Sequence, residues 1–257
     1  MDDIKLLREM MKSYTAADED FITDMHQQKP QPPQYKYYEG VERIKLSRNF
    51  KEVIKNNNFF ELLEKRESRR KLTDAPLSFD EISYLLYTIQ GVKKTTPDNT
   101  ASFRMVPSAG ARHPYETYMY INNVEGLDCG LYHYLPLEHE IERLADLDKK
   151  DDFIEQMTEA FLGQVFCTQA PVMFLWTVVP YRFEWKYAWK GHRCGLMDAG
   201  CIGQNLYLAA ESIDCMTCMI GAFDQAMVDG LLGLDTNPTE DHDNEFAVFA
   251  AGVGKQM

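Results

Sequence analysis

The stretch RCGLMDAGCIGQNLYLAAESI, Arg193 to Ile213, constrains the fold more than any other part of the chain. Gly195, Ala199 and Gly203 recur at every fourth position, so on a helix of 3.6 residues per turn they form one nearly bare stripe that another helix can approach closely. Leu206, Leu208, Ala209 and Ala210 lie alongside and leave hardly any polar face. A helix apolar nearly all round is buried, either at the heart of a domain or between two copies of the chain.

Around it the sequence predicts a mixture of elements. LSFDEISYLLYTIQG carries Ser78 as N-cap with Glu81 three positions on, a capping box, then Phe79, Ile82, Leu85, Leu86 and Ile89 on one face and Gly91 at the stop. Strands are expected at 116–122, 130–135, 140–144, 172–179, 216–220 and 245–253, with helices over 150–164 and after Asp224. Helices and strands do not alternate as regular βαβ units, which predicts an α+β fold with a central, mostly antiparallel sheet flanked by helices.

The first 50 residues read differently. Ile4, Leu7, Met10 and Met11, then Phe21, Ile22 and Met25, have helical spacing, and KPQPPQYKYYEG follows as a proline-rich connector. Residues 1–50 are thus expected to form a helical extension that wraps or docks, and 51–257 the main domain. The net charge of −13 excludes a general nucleic-acid binder. The longest apolar run, Val172 to Val179, is far shorter than the roughly 20 residues that span a bilayer. With no export signal at the N-terminus and six cysteines lacking a disulfide-framework spacing, a cytoplasmic protein is expected. Cys215 and Cys218 have the spacing of a redox dithiol, but their apolar setting favours a packing role over redox chemistry or zinc binding.

Two segments point to a ligand. Arg66, Ser68, Arg69 and Arg70 form the densest basic cluster of an acidic chain, and guanidinium forks with a hydroxyl suit a phosphate; a solvated turn paired with Glu64 and Glu67 is the alternative. Pro107-Ser108-Ala109-Gly110-Ala111, about 40 residues later, is nearly bare of side chains and lets backbone approach something flat. No phosphate-binding glycine loop of the P-loop or Rossmann kind is present. A charged tail and a broad planar head describe flavin mononucleotide (FMN).

Taken together, KRESRR, VPSAGARHPYETY, WKYAWKGHRCGLMDAGCIGQNLYLAAE and IGAFD resemble the nitroreductase superfamily over about 60–255, and in particular its SagB-type branch, which includes the azoline-oxidising dehydrogenases of thiazole/oxazole-modified peptide pathways. The resemblance implies a nitroreductase-like homodimer with a long buried interface helix and one FMN per site, contacted by both subunits. It assigns Arg66, Ser68 and Arg70 to the phosphate, and Pro107, Ser108, Ala109 and Gly110 to the ring. It also places Gln204 and Asn205 near the flavin, Gly221 and Ala222 near the phosphate or ribityl chain, and Lys255 near the phosphate. Glu67 departs from the basic or polar residue often found at its position.

Lys186 and Tyr187 resemble the Lys-Tyr pair of the azoline dehydrogenases, where a base removes a proton from the ring carbon. With Lys190 and Arg193 nearby, the same segment could instead seat the flavin or a carboxylate. His113 is expected to fix the end of the flavin loop. Two enzyme readings follow: oxidation of a peptide-borne azoline, or reduction of nitroaromatics, quinones or enones by NAD(P)H. A flavin-binding protein without turnover is the reading of another class.

Overall fold

A computed structural model describes residues 3–13, 22–73, 75–146, 150–234 and 244–255. In chain order they form α1 (Asp3–Met10), β1 (Glu42–Lys45), α2 (Phe50–Val53), α3 (Phe59–Lys65), α4 (Phe79–Gln90), β2 (Val92–Thr95), β3 (Ser102–Arg104), β4 (Tyr115–Ile121), β5 (Gly130–Leu135), β6 (Glu140–Asp146), α5 (Lys150–Ala160), α6 (Val165–Thr168), β7 (Val172–Val178), α7 (Tyr181–Tyr187), α8 (Gly191–Ser212), β8 (Cys215–Ile220), α9 (Gln225–Leu231) and β9 (Phe246–Lys255). Seven strands make one sheet in the order β1-β6-β5-β4-β7-β9-β8, and every neighbouring pair is antiparallel. The α+β expectation holds. Strands β2 and β3 form a separate hairpin.

Two apolar layers cover the sheet. On one face Tyr115, Met119 and Ile121 of β4 pack with Ile82, Leu85, Leu86 and Ile89 of α4 and Ala199, Ile202 and Leu206 of α8. On the other, Tyr118 and Tyr120 pack with Phe153 and Met157 of α5 and Val228 of α9. This is the period-two alternation of a strand buried on both faces. No helix among the described residues is long and apolar enough to cross a membrane.

The bare stripe of α8 is used inside the chain. A side chain at Gly195 would meet Phe183 of α7, and one at Gly203 would run into Met219 of β8. The adjoining face, with Leu196, Met197, Gly200 and Gln204, is exposed. The capping box of α4 is complete, with Ser78 accepting from the Glu81 amide at 3.2 Å and the Glu81 carboxylate from the Ser78 amide at 2.8 Å. Gly91 ends that helix for lack of space rather than for a left-handed turn: its φ is −55°, and a Cβ there would overlap the Tyr87 ring.

The N-terminal segment is helical as expected over α1 and departs from expectation further on. Phe21 lies outside the described residues, and residues 22–29 turn instead of coiling into a second helix. Thr23 accepts from the His26 amide at 3.3 Å, Gln28 adopts φ +60°, and Pro30 follows, so the chain turns away before a helix can propagate. From there it runs along the domain. The Met25 amide donates to the Trp185 carbonyl, the Trp185 indole to the Lys29 carbonyl, and Arg182 to the Pro33 carbonyl. It ends as β1, an edge strand of the main sheet whose Arg43 pairs with Glu142 at 2.9 Å.

Removing the Ser78 cap hydroxyl (Ser78→Ala) should cost about 1 kcal/mol, seen as a lower urea midpoint at unchanged slope.

Candidate active site

The loop from Pro107 to His113 is held by α8. Asp198 accepts from the Ser108 hydroxyl at 2.5 Å and from the Ala109 amide at 3.2 Å. Ser108 in turn accepts from the His113 amide at 2.8 Å, and the His113 ring bonds the Ser102 carbonyl at 3.0 Å. Burial, with Arg104, Arg112 and Arg182 near, drives the His113 imidazole down to about 2, so it is neutral and donates that bond. Burial pushes the Asp198 carboxyl up, against the two bonds that favour its charge. Left-handed backbone gathers here: Gly110 at φ +59°, Ala111 at +55° and His113 at +45°, with Ala188 at +45° facing them from the end of α7. Such strain persists only where surroundings hold it.

The structure brings Lys186 and Tyr187 to this loop. A Cβ on Gly110 would overlap the Tyr187 hydroxyl and lie 3.0 Å from Lys186 Nζ. Arg112, at the end of the loop, stacks over the Trp185 ring at 5.3 Å. Lys186 and Tyr187 are half-buried, and Trp189 beside them is 46% exposed. A small open ledge, an ammonium and a phenol therefore share one surface.

The basic cluster occupies a second surface. Ser68 shares a 2.8 Å hydrogen bond with the Tyr207 hydroxyl, Arg66 stacks on the Tyr207 ring at 5.3 Å, and Arg70 on Phe166 at 5.5 Å. Arg69 is the structural arginine of the run, paired with Glu211 at 2.8 Å. Arg66 and Arg70 have no carboxylate partner within ion-pair distance among the described residues. Gly221 and Ala222 are exposed after β8, and Gln164, just before α6, donates to the Ala222 carbonyl. Lys255 is drawn elsewhere, its ammonium engaged by Glu81.

Helix α8 separates the two surfaces. Asp198, which holds the ledge, and Tyr207, which holds the basic turn, are nine residues apart. That is two and a half turns, so they lie on opposite faces and roughly 13 Å apart along the axis. Gln204 and Asn205 divide likewise: Gln204 is exposed, whereas Asn205 turns inward to the Thr88 carbonyl at 2.8 Å.

The profile of the nitroreductase family matches residues 63–255. The chain belongs to the nitroreductase family. A nitroreductase-like protein of Methanocaldococcus jannaschii is 33% identical over 163 residues, 63% of this chain and 78% of its own length. The Escherichia coli microcin B17-processing protein McbC is 25% identical over 152 residues, so the chain matches about half the length of that relative, 52%. In fold, a nitroreductase-like protein of Ralstonia eutropha superposes with a TM-score of 0.65 at 20% identity, over 89% of this chain and 96% of that one. A chain of the E. coli microcin synthetase McbBCD complex does so with a TM-score of 0.58 at 18% identity, over 100% and 98%. The family is one of oxidoreductases, and the two structural likenesses extend the shared fold over nearly the whole chain.

Three residues of this family member escaped sequence reasoning. Asp198 was detectable as an acid in the apolar middle of α8, and Tyr207 as a phenol on its far side. Arg182 carried no local signal.

Gly110→Ala should destabilise the chain by about 1–2 kcal/mol, from the left-handed backbone alone, and should also displace Tyr187. Urea unfolding together with loss of turnover checks both effects.

Proposed function

We propose that the chain is an FMN-dependent dehydrogenase of the SagB type that oxidises a peptide-borne thiazoline or oxazoline. The observation that carries this reading is the contact of Lys186 and Tyr187 with Gly110 in the small-residue loop. The likeness to McbC, a protein named for processing microcin B17, supports a peptide substrate.

The residues fit the cofactor. Arg66 and Arg70, stacked on aromatic rings and without a carboxylate partner among the described residues, with the Ser68 hydroxyl between them in sequence, suit a phosphate. Pro107, Ser108, Ala109 and Gly110 offer a partly exposed ledge of small residues, bordered at Gly110 by Tyr187 and Lys186, against which a flat ring could lie. Gly221 has open space where a side chain would stand, and Ala222 and Gln204 are exposed. Bound there, FMN supplies a two-electron hydride acceptor. Lys186 removes the proton from the ring carbon, and Tyr187 orients the ring at the ledge. Asn205 acts through α4 and Lys255 through Glu81, both as supports.

The site is completed by a second copy of the chain. Ledge and basic turn lie on opposite faces of one α8, too divided for one protomer to close around a single ligand, and the helix face between them presents exposed Leu196 and Met197. Phe59, Phe60 and Leu63 of α3 are exposed as well. A two-fold pairing through α8 would bury this surface and bring the turn of one protomer to the ledge of the other.

Purified protein should take up FMN, and an azoline-bearing peptide should bleach the flavin without oxygen. Lys186→Met should retain the flavin and lose about 10²–10⁴-fold in turnover. Bleaching by NADH or NADPH, with reoxidation by a nitroaromatic or quinone and no response to the azoline, would establish the reductase reading instead. Retention of all activity in Lys186→Met would make Lys186 structural.

A further inference from the structure

A chain of buried charges runs through the sheet and ends beside the ledge loop. Arg182 of α7 contacts the Glu116 carboxylate of β4. Glu116 faces His133 Nε2 of β5 at 3.1 Å, and His133 Nδ1 faces Glu142 of β6 at 3.0 Å. Glu142 also accepts from the Tyr38 amide at 3.2 Å and from Arg43. The side chains of His133 and Glu142 are fully buried, and those of Glu116 and Arg182 nearly so.

Both nitrogens of His133 face carboxylates, and ionised carboxylates only accept hydrogen bonds, so both nitrogens carry protons and the ring is charged. Burial works against that charge, but the bonds to Glu116 and Glu142 outweigh it and raise the ring above its ordinary value. Burial likewise opposes the Glu116 charge, yet Arg182 and His133 hold the carboxyl down at about 2. Among the described residues, the rings of Tyr118 of β4 and Tyr38 of the connector also stand against the His133 ring, at 4.9 and 5.5 Å between centroids. Arg104 acts through Glu116. Lys36 and Glu245 meet at Tyr118.

Arg182 is where this chain reaches the site. It stands one helical turn before Lys186 on α7, and besides Glu116 it donates to the His113 carbonyl at 3.4 Å and the Pro33 carbonyl at 3.0 Å. One guanidinium thus fastens α7, the end of the ledge loop, the connector and the sheet.

We propose that Arg182, Glu116, His133 and Glu142 act as one positioning unit that holds α7, and with it Lys186 and Tyr187, against the Gly110 ledge, and that the unit is intact only while His133 keeps its proton. The catalytic consequence rests on the role proposed for Lys186; the positioning itself does not. With the folded histidine raised above 6.5, the ordinary value, its contribution is whole below that pH and is lost as pH rises through the folded value.

The test begins on the wild-type chain without ligand. Nitrogen NMR of labelled histidine should show both His133 nitrogens protonated at pH 6.5, and amide exchange over 183–187, corrected for its intrinsic pH dependence, should quicken as that ring titrates. Glu142→Gln should raise the same exchange about tenfold and lower kcat up to about a hundredfold, with KM and FMN affinity within about twofold. Arg182→Lys, which keeps charge but cannot bridge three partners, should do the same and serves if Glu142→Gln does not fold. A neutral His133 at pH 6.5, or wild-type exchange over 183–187 in both folded variants, overturns the proposal. Lys186→Met separates the two readings: it should abolish turnover while leaving that exchange at the wild-type rate.

Discussion

The packing of α8 against the sheet sets where everything else can lie. Its inward face is built from small residues because Phe183 and Met219 must enter at Gly195 and Gly203, and close-packed interiors leave no slack for a methyl group at such points. On that scaffold Asp198 takes two donors of the small-residue loop and fixes the ledge. Tyr207, half a turn round, takes the basic turn and also the Met219 amide. One helix therefore positions the ledge and the basic turn and keeps them apart.

The charges buried on the other face of the sheet are arranged so that their cost is offset. Ions taken from water cost several kcal/mol each unless paired with good geometry. Here signs alternate from Arg182 through Glu116, His133 and Glu142 to half-exposed Arg43. Every carboxylate stands between two cations, and the chain binds four strands to α7. Polar connections of this kind fix register where apolar contacts alone would tolerate slippage.

Local chemistry was legible in the sequence, and long-range pairing was not. The capping box at Ser78 and the strands around Tyr118 and Leu175 follow from neighbours a few residues away, and so could be read. Strand β1 could not: Glu42-Arg43-Ile44-Lys45 shows no apolar alternation and becomes a strand because its charges meet Glu142 and Arg143 across the ladder. Lys255 reads as an unclaimed cation until the fold delivers Glu81 to it, and Arg182 as an ordinary surface arginine until β4 supplies Glu116. The motifs named the residues of ledge and turn. Only the phase of α8 revealed that they face apart.

That division makes the central claim testable with two inactive chains. Arg66→Ala/Arg70→Ala and Lys186→Met should each be inactive alone. When the two are unfolded together, mixed in equal amounts and refolded with FMN, the two-fold pairing proposed above would make half the dimers mixed, each with one site that has an intact turn and an intact ledge. The account predicts recovery of about a quarter of wild-type turnover. No recovery, with mixed dimers shown to be present by differential tags, would mean that each site is built within one protomer and would contradict it.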